Sequence, residues 1–242
     1  MGSRLRLAPG GRYLLDEAGA PFFWLADTPW SGPLVASEED WEQYLADRQR
    51  KGFTVIHCVT TQWRATPASA EGEVAYEGSG PIRINHRFFD RIERRVRAIN
   101  DHGMVAACVL LWDYGPPDRT PGELPERYAV ELASYIVDRL RELDTVWILA
   151  GDGDYTGERA RRWQRIGRQV FEGRDGLVAM HSNSMSWPYD AFEHESWLHV
   201  WGYQSGHGDD ERTIRWIYSG PPTTRWRELA PHPIINLEPP YE

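Results

Sequence analysis

Cysteine is scarce in this chain, with only Cys58 and Cys108 among 242 residues. Both lie in apolar stretches, where a free thiol serves as a small core side chain. Two such residues exclude a disulfide framework and a CxxC metal motif. Long hydrophobic runs are missing as well. The longest, Met104 to Trp112, is too short to cross a bilayer, and Met1-Gly2-Ser3-Arg4-Leu5-Arg6 leads into no apolar leader segment. A soluble, cytoplasmic chain with no membrane partner is the expectation, secreted only if a leader has been removed. Positive charge is in deficit, with 27 basic against 36 acidic residues and a net charge of −9. No basic patch stands out, which argues against a nucleic-acid partner. A glycine-rich phosphate turn is also absent, because the first predicted strand runs into Asp27-Thr28-Pro29-Trp30; this argues against nucleotide binding.

Aromatic residues are abundant, with 12 Trp and 11 Tyr. Most are expected in the core, although Trp faces also stack on the C–H faces of sugar rings. The chain opens on a predicted β-hairpin, with Arg4–Leu7 and Arg12–Leu15 flanking Pro9-Gly10-Gly11. Strands are predicted at Phe22–Ala26, Thr54–Val59, Val105–Leu111, Val146–Ala150, Leu177–Met180, Leu198–Trp201 and Ile234–Leu237. Helices are predicted from Ser37 to Lys51, Phe88 to His102, Glu123 to Leu143, Gly157 to Glu172 and Asp209 to Tyr218. Alternating strands and helices imply a parallel sheet. Seven such units with polar residues after each strand favour a single α/β domain over 1–242, a (β/α)8 TIM barrel with an N-terminal hairpin. Its eighth strand and closing helix are missing from these residues, so a truncated barrel is expected. The loop from Gln62 to Asn85 reads as a mobile lid over the barrel top.

Two of the strands end in a carboxylate. Val146-Trp147-Ile148-Leu149-Ala150-Gly151 stops at Asp152, and Ile234-Ile235-Asn236-Leu237 stops at Glu238. A carboxylate at the carboxyl end of a buried strand is costly outside a site, and that end of an α/β barrel is where active sites are built. Two such acids on strands four and seven can flank one glycosidic bond as acid and nucleophile. Asp154 is the rival to Asp152, which is preferred because it follows the strand directly.

The residues resemble the apiosidase-like glycoside hydrolases, a family often labelled putative endoglucanases. The similarity lies in Phe22-Phe23-Trp24-Leu25-Ala26-Asp27-Thr28-Pro29-Trp30, Lys51-Gly52-Phe53-Thr54-Val55-Ile56, Phe88-Phe89-Asp90 and Trp147–Asp152. It continues in Tyr203-Gln204-Ser205-Gly206-His207 and Asn236-Leu237-Glu238-Pro239-Pro240-Tyr241-Glu242. The resemblance implies a (β/α)8 barrel, retaining chemistry on a carbohydrate substrate, Asp152 as acid/base and Glu238 as nucleophile. The family tends to carry Gly-Gly-Asp and Gly-Glu-Pro where this chain has Ala150-Gly151-Asp152 and Leu237-Glu238-Pro239. Leu237 therefore places a bulkier neighbour beside the nucleophile.

A substrate-binding rim is expected around the two acids. Tyr203 is expected to donate its hydroxyl to Glu238, beside Gln204, and His207 to bond a sugar hydroxyl. Asp27 and Trp30 are expected to hold a sugar, with Trp112, Asp113, His181 and Asn183 lining the same rim. Glu238 is expected to stay ionised through hydrogen bonds, and Asp152 to have a raised pKa from burial and from the charge of Glu238. A metal-dependent hydrolase is the first rival, through His57, His181 and His199. It lacks the His-x-His expected on strand one, so no metal or other cofactor is expected. A catalytically inactive sugar-binding barrel is the second rival. The sequence leaves the sugar, the linkage and the oligomeric state open.

Overall fold

The computed structural model describes residues 5–113 and 120–240. Arg4 of the predicted hairpin, and Tyr241 and Glu242 of the last run, lie outside the described residues.

The hairpin is present: β1 (Arg6–Leu7) pairs antiparallel with β2 (Leu14–Leu15), Arg6 opposite Leu15. The first sheet strand, β3 (Ala26–Asp27), leads into a short helix α1 (Gly32–Val35). Helix α2 (Glu38–Arg50) starts where the Ser37 side chain accepts the Asp40 N–H, with three acids in its first turn. After β4 (Val55–Val59) comes a small antiparallel hairpin, β5 (Tyr76–Glu77) and β6 (Arg83–Ile84). Helix α3 (His86–Asp101) is capped by Asn85 and followed by β7 (Val105–Trp112). A 3-10 turn at Pro121–Glu123 precedes α4 (Glu126–Leu140). Next come β8 (Thr145–Gly151), α5 (Gly157–Phe171), β9 (Leu177–Ser184) and α6 (Tyr189–Phe192). The chain then runs through β10 (Val200–Gln204), α7 (Glu211–Ser219), α8 (Thr224–Glu228) and β11 (Ile234–Glu238).

Seven strands form one parallel sheet in the order β3-β4-β7-β8-β9-β10-β11, curled into an incomplete barrel with helices around it. Every residue of β4, β7 and β8 is buried, as expected for strands covered on both faces. Cys58 and Cys108 are free, buried partners across the β4–β7 ladder. Neither β3 nor β11 has a second sheet neighbour among the described residues. A groove of about 730 Å³ runs between them, lined by residues that include Trp24, Leu25, Ile235 and Leu237. No helix among the described residues is long and apolar enough to cross a membrane.

Three sequence expectations shift. The predicted strand Phe22–Ala26 contracts to Ala26–Asp27, because its ladder to β4 begins only at the Ala26–Val55 pair. Phe23 before it is 74% exposed. The sixth sheet strand lies later than predicted and extends to Gln204, since pairing with β9 and β11 overrides the weak strand propensity of its Gly and Gln. The loop predicted as a mobile lid is packed at its root. The buried Gln62 side chain accepts from the Ala75 N–H at 2.8 Å and donates to the Tyr76 carbonyl at 3.1 Å. Trp63 donates to Ser31 Oγ at 2.9 Å and packs against Trp112, 4.4 Å between ring centroids.

Candidate active site

The fourth and seventh strands of the sheet, β8 and β11, each deliver one carboxylate to the carboxyl end of the barrel. Asp152 follows β8 and Glu238 ends β11. One oxygen of each lies within 4.8 Å of the other and of a ring nitrogen of His181. Both side chains are nearly enclosed, with residue exposures of 9% for Asp152 and 7% for Glu238.

Their surroundings differ. Glu238 accepts from the Trp30 indole N–H on Oε1 at 2.9 Å and from the Gln204 amide on Oε2. Both donors are neutral, and an ionised carboxylate has a lone pair for each. Asp152 instead meets a cation: Arg64 Nη2 lies 2.8 Å from Oδ2. Burial raises the Asp152 carboxyl above the ordinary aspartate range, opposed chiefly by the guanidinium of Arg64. The raised direction expected from the sequence is therefore found. Its leading cause is burial.

The Asp152 backbone is left-handed, φ 59°, a conformation that costs an ordinary L-residue about 1–2 kcal/mol. Its N–H is held by His181 Nδ1 at 3.1 Å. That bond also assigns the tautomer, because a neutral imidazole accepting on Nδ1 carries its proton on Nε2. His181 Nε2 faces Glu238 Oε2 at 3.7 Å. Asp152, His181 and Glu238 are close enough to share a metal ion, but a protonated Nε2 offers no lone pair to one. The other histidines of the metal reading are engaged elsewhere. His57 Nε2 accepts from Trp24 Nε1 at 3.1 Å, and His199 Nδ1 accepts from the Val178 N–H at 3.2 Å.

A family model described as the Apiosidase-like catalytic domain matches residues 8–242. The chain belongs to the Apiosidase-like family. A search of curated proteins gave no match. Among solved structures, a protein described as a glycoside hydrolase superposes with a TM-score of 0.78 at 24% identity, over 99% of this chain and 57% of its own. A glycoside hydrolase family 5 protein from Bacteroides vulgatus also gives 0.78, at 22% identity over 99% and 54%. An endo-1,4-beta-mannanase from Rhizomucor miehei gives 0.66, at 13% identity over 96% and 80%. These likenesses establish the TIM-barrel type of fold. The chain spans little more than half the length of the first two.

In this apiosidase-like domain the other expected rim residues divide into two groups. Trp30 reaches the centre, with ring centroids 5.3 Å from Trp112 and 5.7 Å from both His57 and His181. Trp112 forms a buried floor beneath Trp63 and Trp30. It lies so close to β8 that a Cβ on Gly151 would meet its ring at 2.8 Å. His207 is exposed and near enough to act on the charge of Asp152. Asn183 is half-buried after Ser182, its N–H bonded to the Gly153 carbonyl at 3.0 Å.

Three expectations need correction. Tyr203 does not donate to Glu238. The register shift between Tyr203 and Gln204 sets Gln204 opposite Glu238, and the Tyr203 ring packs on Trp216 with centroids 5.6 Å apart. Asp113 is no rim residue: it is fully buried and ion-paired with Arg159 of α5. Asp27 is taken up by structure, since Oδ2 lies 2.7 Å from Arg48 Nη1 of α2 and Oδ1 accepts the Thr28 N–H. Sequence reasoning missed Arg64. An exposed arginine within an inserted loop carries no positional mark of its destination.

The two buried histidines make stability depend on pH. Desolvation lowers His181 to about 4 and His57 to about 3, against 6.5 for the free side chain. Above pH 6.5 both are neutral in the folded and unfolded chain, and their contribution is intact. Below it the unfolded chain takes up protons that the folded chain refuses, so each histidine removes about 1.4 kcal/mol per pH unit until its folded value is reached. A Tm measured from pH 7 to 4.5 is expected to fall throughout the lower part of that range; a flat profile would contradict the neutral, buried assignment.

Proposed function

We propose that the protein hydrolyses O-glycosidic bonds with retention of configuration, Asp152 serving as acid/base and Glu238 as nucleophile. The observation that carries the reading is the pair itself: two carboxylates with oxygens within 4.8 Å, in unlike surroundings. Retaining enzymes hold their carboxyls about 5–5.5 Å apart, whereas inverting enzymes leave about 6.5–9.5 Å for a water. Membership of the Apiosidase-like family and likeness to solved glycoside hydrolases support it.

In the first step a Glu238 oxygen bonds to the anomeric carbon. The C–O bond to the leaving group breaks, its electron pair stays on oxygen, and the Asp152 carboxyl supplies the proton. In the second step Asp152, now a carboxylate, takes a proton from water while the water oxygen bonds to the anomeric carbon and releases Glu238. Trp30 and Gln204 hold the Glu238 carboxylate in place, so that its attack requires little rearrangement. The class of substrate we propose is an oligosaccharide or polysaccharide glycoside, plant-type or other.

The test is a panel of aryl glycosides and plant pectic oligosaccharides, with the first-formed anomer of the released sugar read by proton NMR. Release of the sugar in its starting anomeric configuration is expected. An inverted product would remove the nucleophile role from Glu238, and failure to cleave any substrate would favour a sugar-binding barrel.

A further inference from the structure

Arg64 is a partner of the carboxylate pair that comes from a loop rather than from a barrel strand. It sits in the segment after β4, and its guanidinium remains 47% exposed while contacting an Asp152 side chain that is 12% exposed. The backbone beneath it is fixed. Trp63 is held on Ser31 Oγ and against Trp112, the Ser31 and Thr66 hydroxyls are bonded to one another, and the backbones of Trp63 and Thr66 exchange hydrogen bonds at 3.0 and 3.1 Å. A long, half-solvated side chain on a rigid root can leave its partner without unfolding anything.

Arg64 and burial thus act in opposite directions on the Asp152 proton, a conflict that movement of Arg64 would resolve. A general acid must carry a proton when the glycosidic oxygen arrives, and an arginine 2.8 Å away favours the ionised form. The remaining groups around Asp152 do not remove the conflict. His181 on β9 is neutral and accepts the Asp152 N–H. Tyr155, in the same loop as Asp152, is a fully buried phenol donating to the His181 carbonyl at 3.1 Å. Glu238 on β11 is the acidic neighbour, and His207, after β10, is an exposed imidazole.

We propose that Arg64 gates the acid: it pairs with Asp152 in the free protein and is displaced when the leaving-group sugar is seated, so that Asp152 takes up its proton only over bound substrate. The proposal rests on the two-carboxylate reading above. Displacement removes the counter-charge while burial persists, which drives protonation from solvent. When the leaving group departs, Asp152 is a carboxylate again and Arg64 can return to it.

Two measurements on the free and turning-over protein test the gate. The first is a pH titration of the Asp152 carboxyl by 13C NMR, assigned by the resonance missing in Asp152→Asn. Arg64→Gln is expected to raise the midpoint by about one pH unit, the low end of what a neighbouring opposite charge produces, and Arg64→Lys to keep it near wild type. An unchanged midpoint in Arg64→Gln overturns the gate. The second compares kcat/KM against pH for a phenyl glycoside, which needs the acid, and a 2,4-dinitrophenyl glycoside, which does not. In Arg64→Gln the basic limb for the phenyl substrate is expected about one unit higher, about tenfold faster beyond the limb, with the dinitrophenyl profile unmoved. Limbs that stay in place for both substrates, or move equally for both, overturn it. Failure of the underlying reading is distinguished by Asp152→Asn: if that variant cleaves the phenyl glycoside as fast as wild type, Asp152 is not the acid, whatever Arg64 does.

Discussion

Glu238→Gln is expected to lower kcat by roughly 10^4- to 10^6-fold, the scale seen when a covalent nucleophile is removed. KM and Tm should change little. The substitution is nearly isosteric, and the new side chain can still accept from the Trp30 indole that now bonds Oε1. Its amide nitrogen would meet the Gln204 donor, but a flip of the Gln204 amide presents Oε1, which is buried and has no hydrogen-bond partner among the described residues. The inactive protein should therefore remain folded, with a far-UV circular dichroism spectrum like that of the wild type. Glu238→Ala adds a sharper check. Azide should restore turnover of an activated aryl glycoside and give a glycosyl azide of inverted configuration, because the small anion attacks once in place of the carboxylate. Substantial turnover in Glu238→Gln, with the fold intact, would remove Glu238 from the reaction.

Asp152→Asn is expected to show a loss that depends on the leaving group. For a phenyl glycoside or a natural sugar leaving group the rate should fall by about 10²- to 10⁴-fold, the usual worth of general-acid assistance. For a 2,4-dinitrophenyl glycoside the first step should be close to wild type, so that the slower second step lets a glycosyl-protein accumulate, visible as a burst of dinitrophenol and as added mass. Asparagine is the right replacement because Asp152 sits at φ 59°, a region asparagine enters more readily than most residues. Alanine there would mix backbone strain with lost chemistry. Equal losses for good and poor leaving groups would argue that Asp152 positions the site and transfers no proton.

How far the sequence could be read follows from what each residue answers to. Asp152 and Glu238 were legible because each ends a short apolar strand, and strand ends are set by local pattern. The strand order was legible for the same reason, since each strand of this sheet pairs with the one before it once the inserted β5–β6 hairpin is set aside. Side-chain direction was not. The expectation for Tyr203 assumed regular pairing, and the register shift next to Gln204 exchanged the two residues' roles. Asp27 and Asp113 follow strands, a position that by itself points to the rim. Their destinations were decided by arginines on helices, Arg48 of α2 and Arg159 of α5, which lie 21 and 46 residues away. Arg64 was out of reach because its approach to Asp152 depends on how the inserted loop folds back, which Gln62 and Trp63 fix by tertiary contacts.

The Trp30–Glu238 bond joins residues 208 positions apart. The sheet ladders grow between successive strands, so much of the barrel wall can assemble from contacts of modest sequence separation. The Trp30–Glu238 contact instead requires the first and last sheet strands to come together, at the entropic cost of closing a very long loop. The chemistry is thus tied to the end of assembly. On the two-carboxylate reading proposed above, a chain with most of its sheet formed would still lack an aligned nucleophile, and recovery of activity during refolding should trail recovery of secondary structure. Turnover is then a report on the closing of the molecule as well as on its carboxylates.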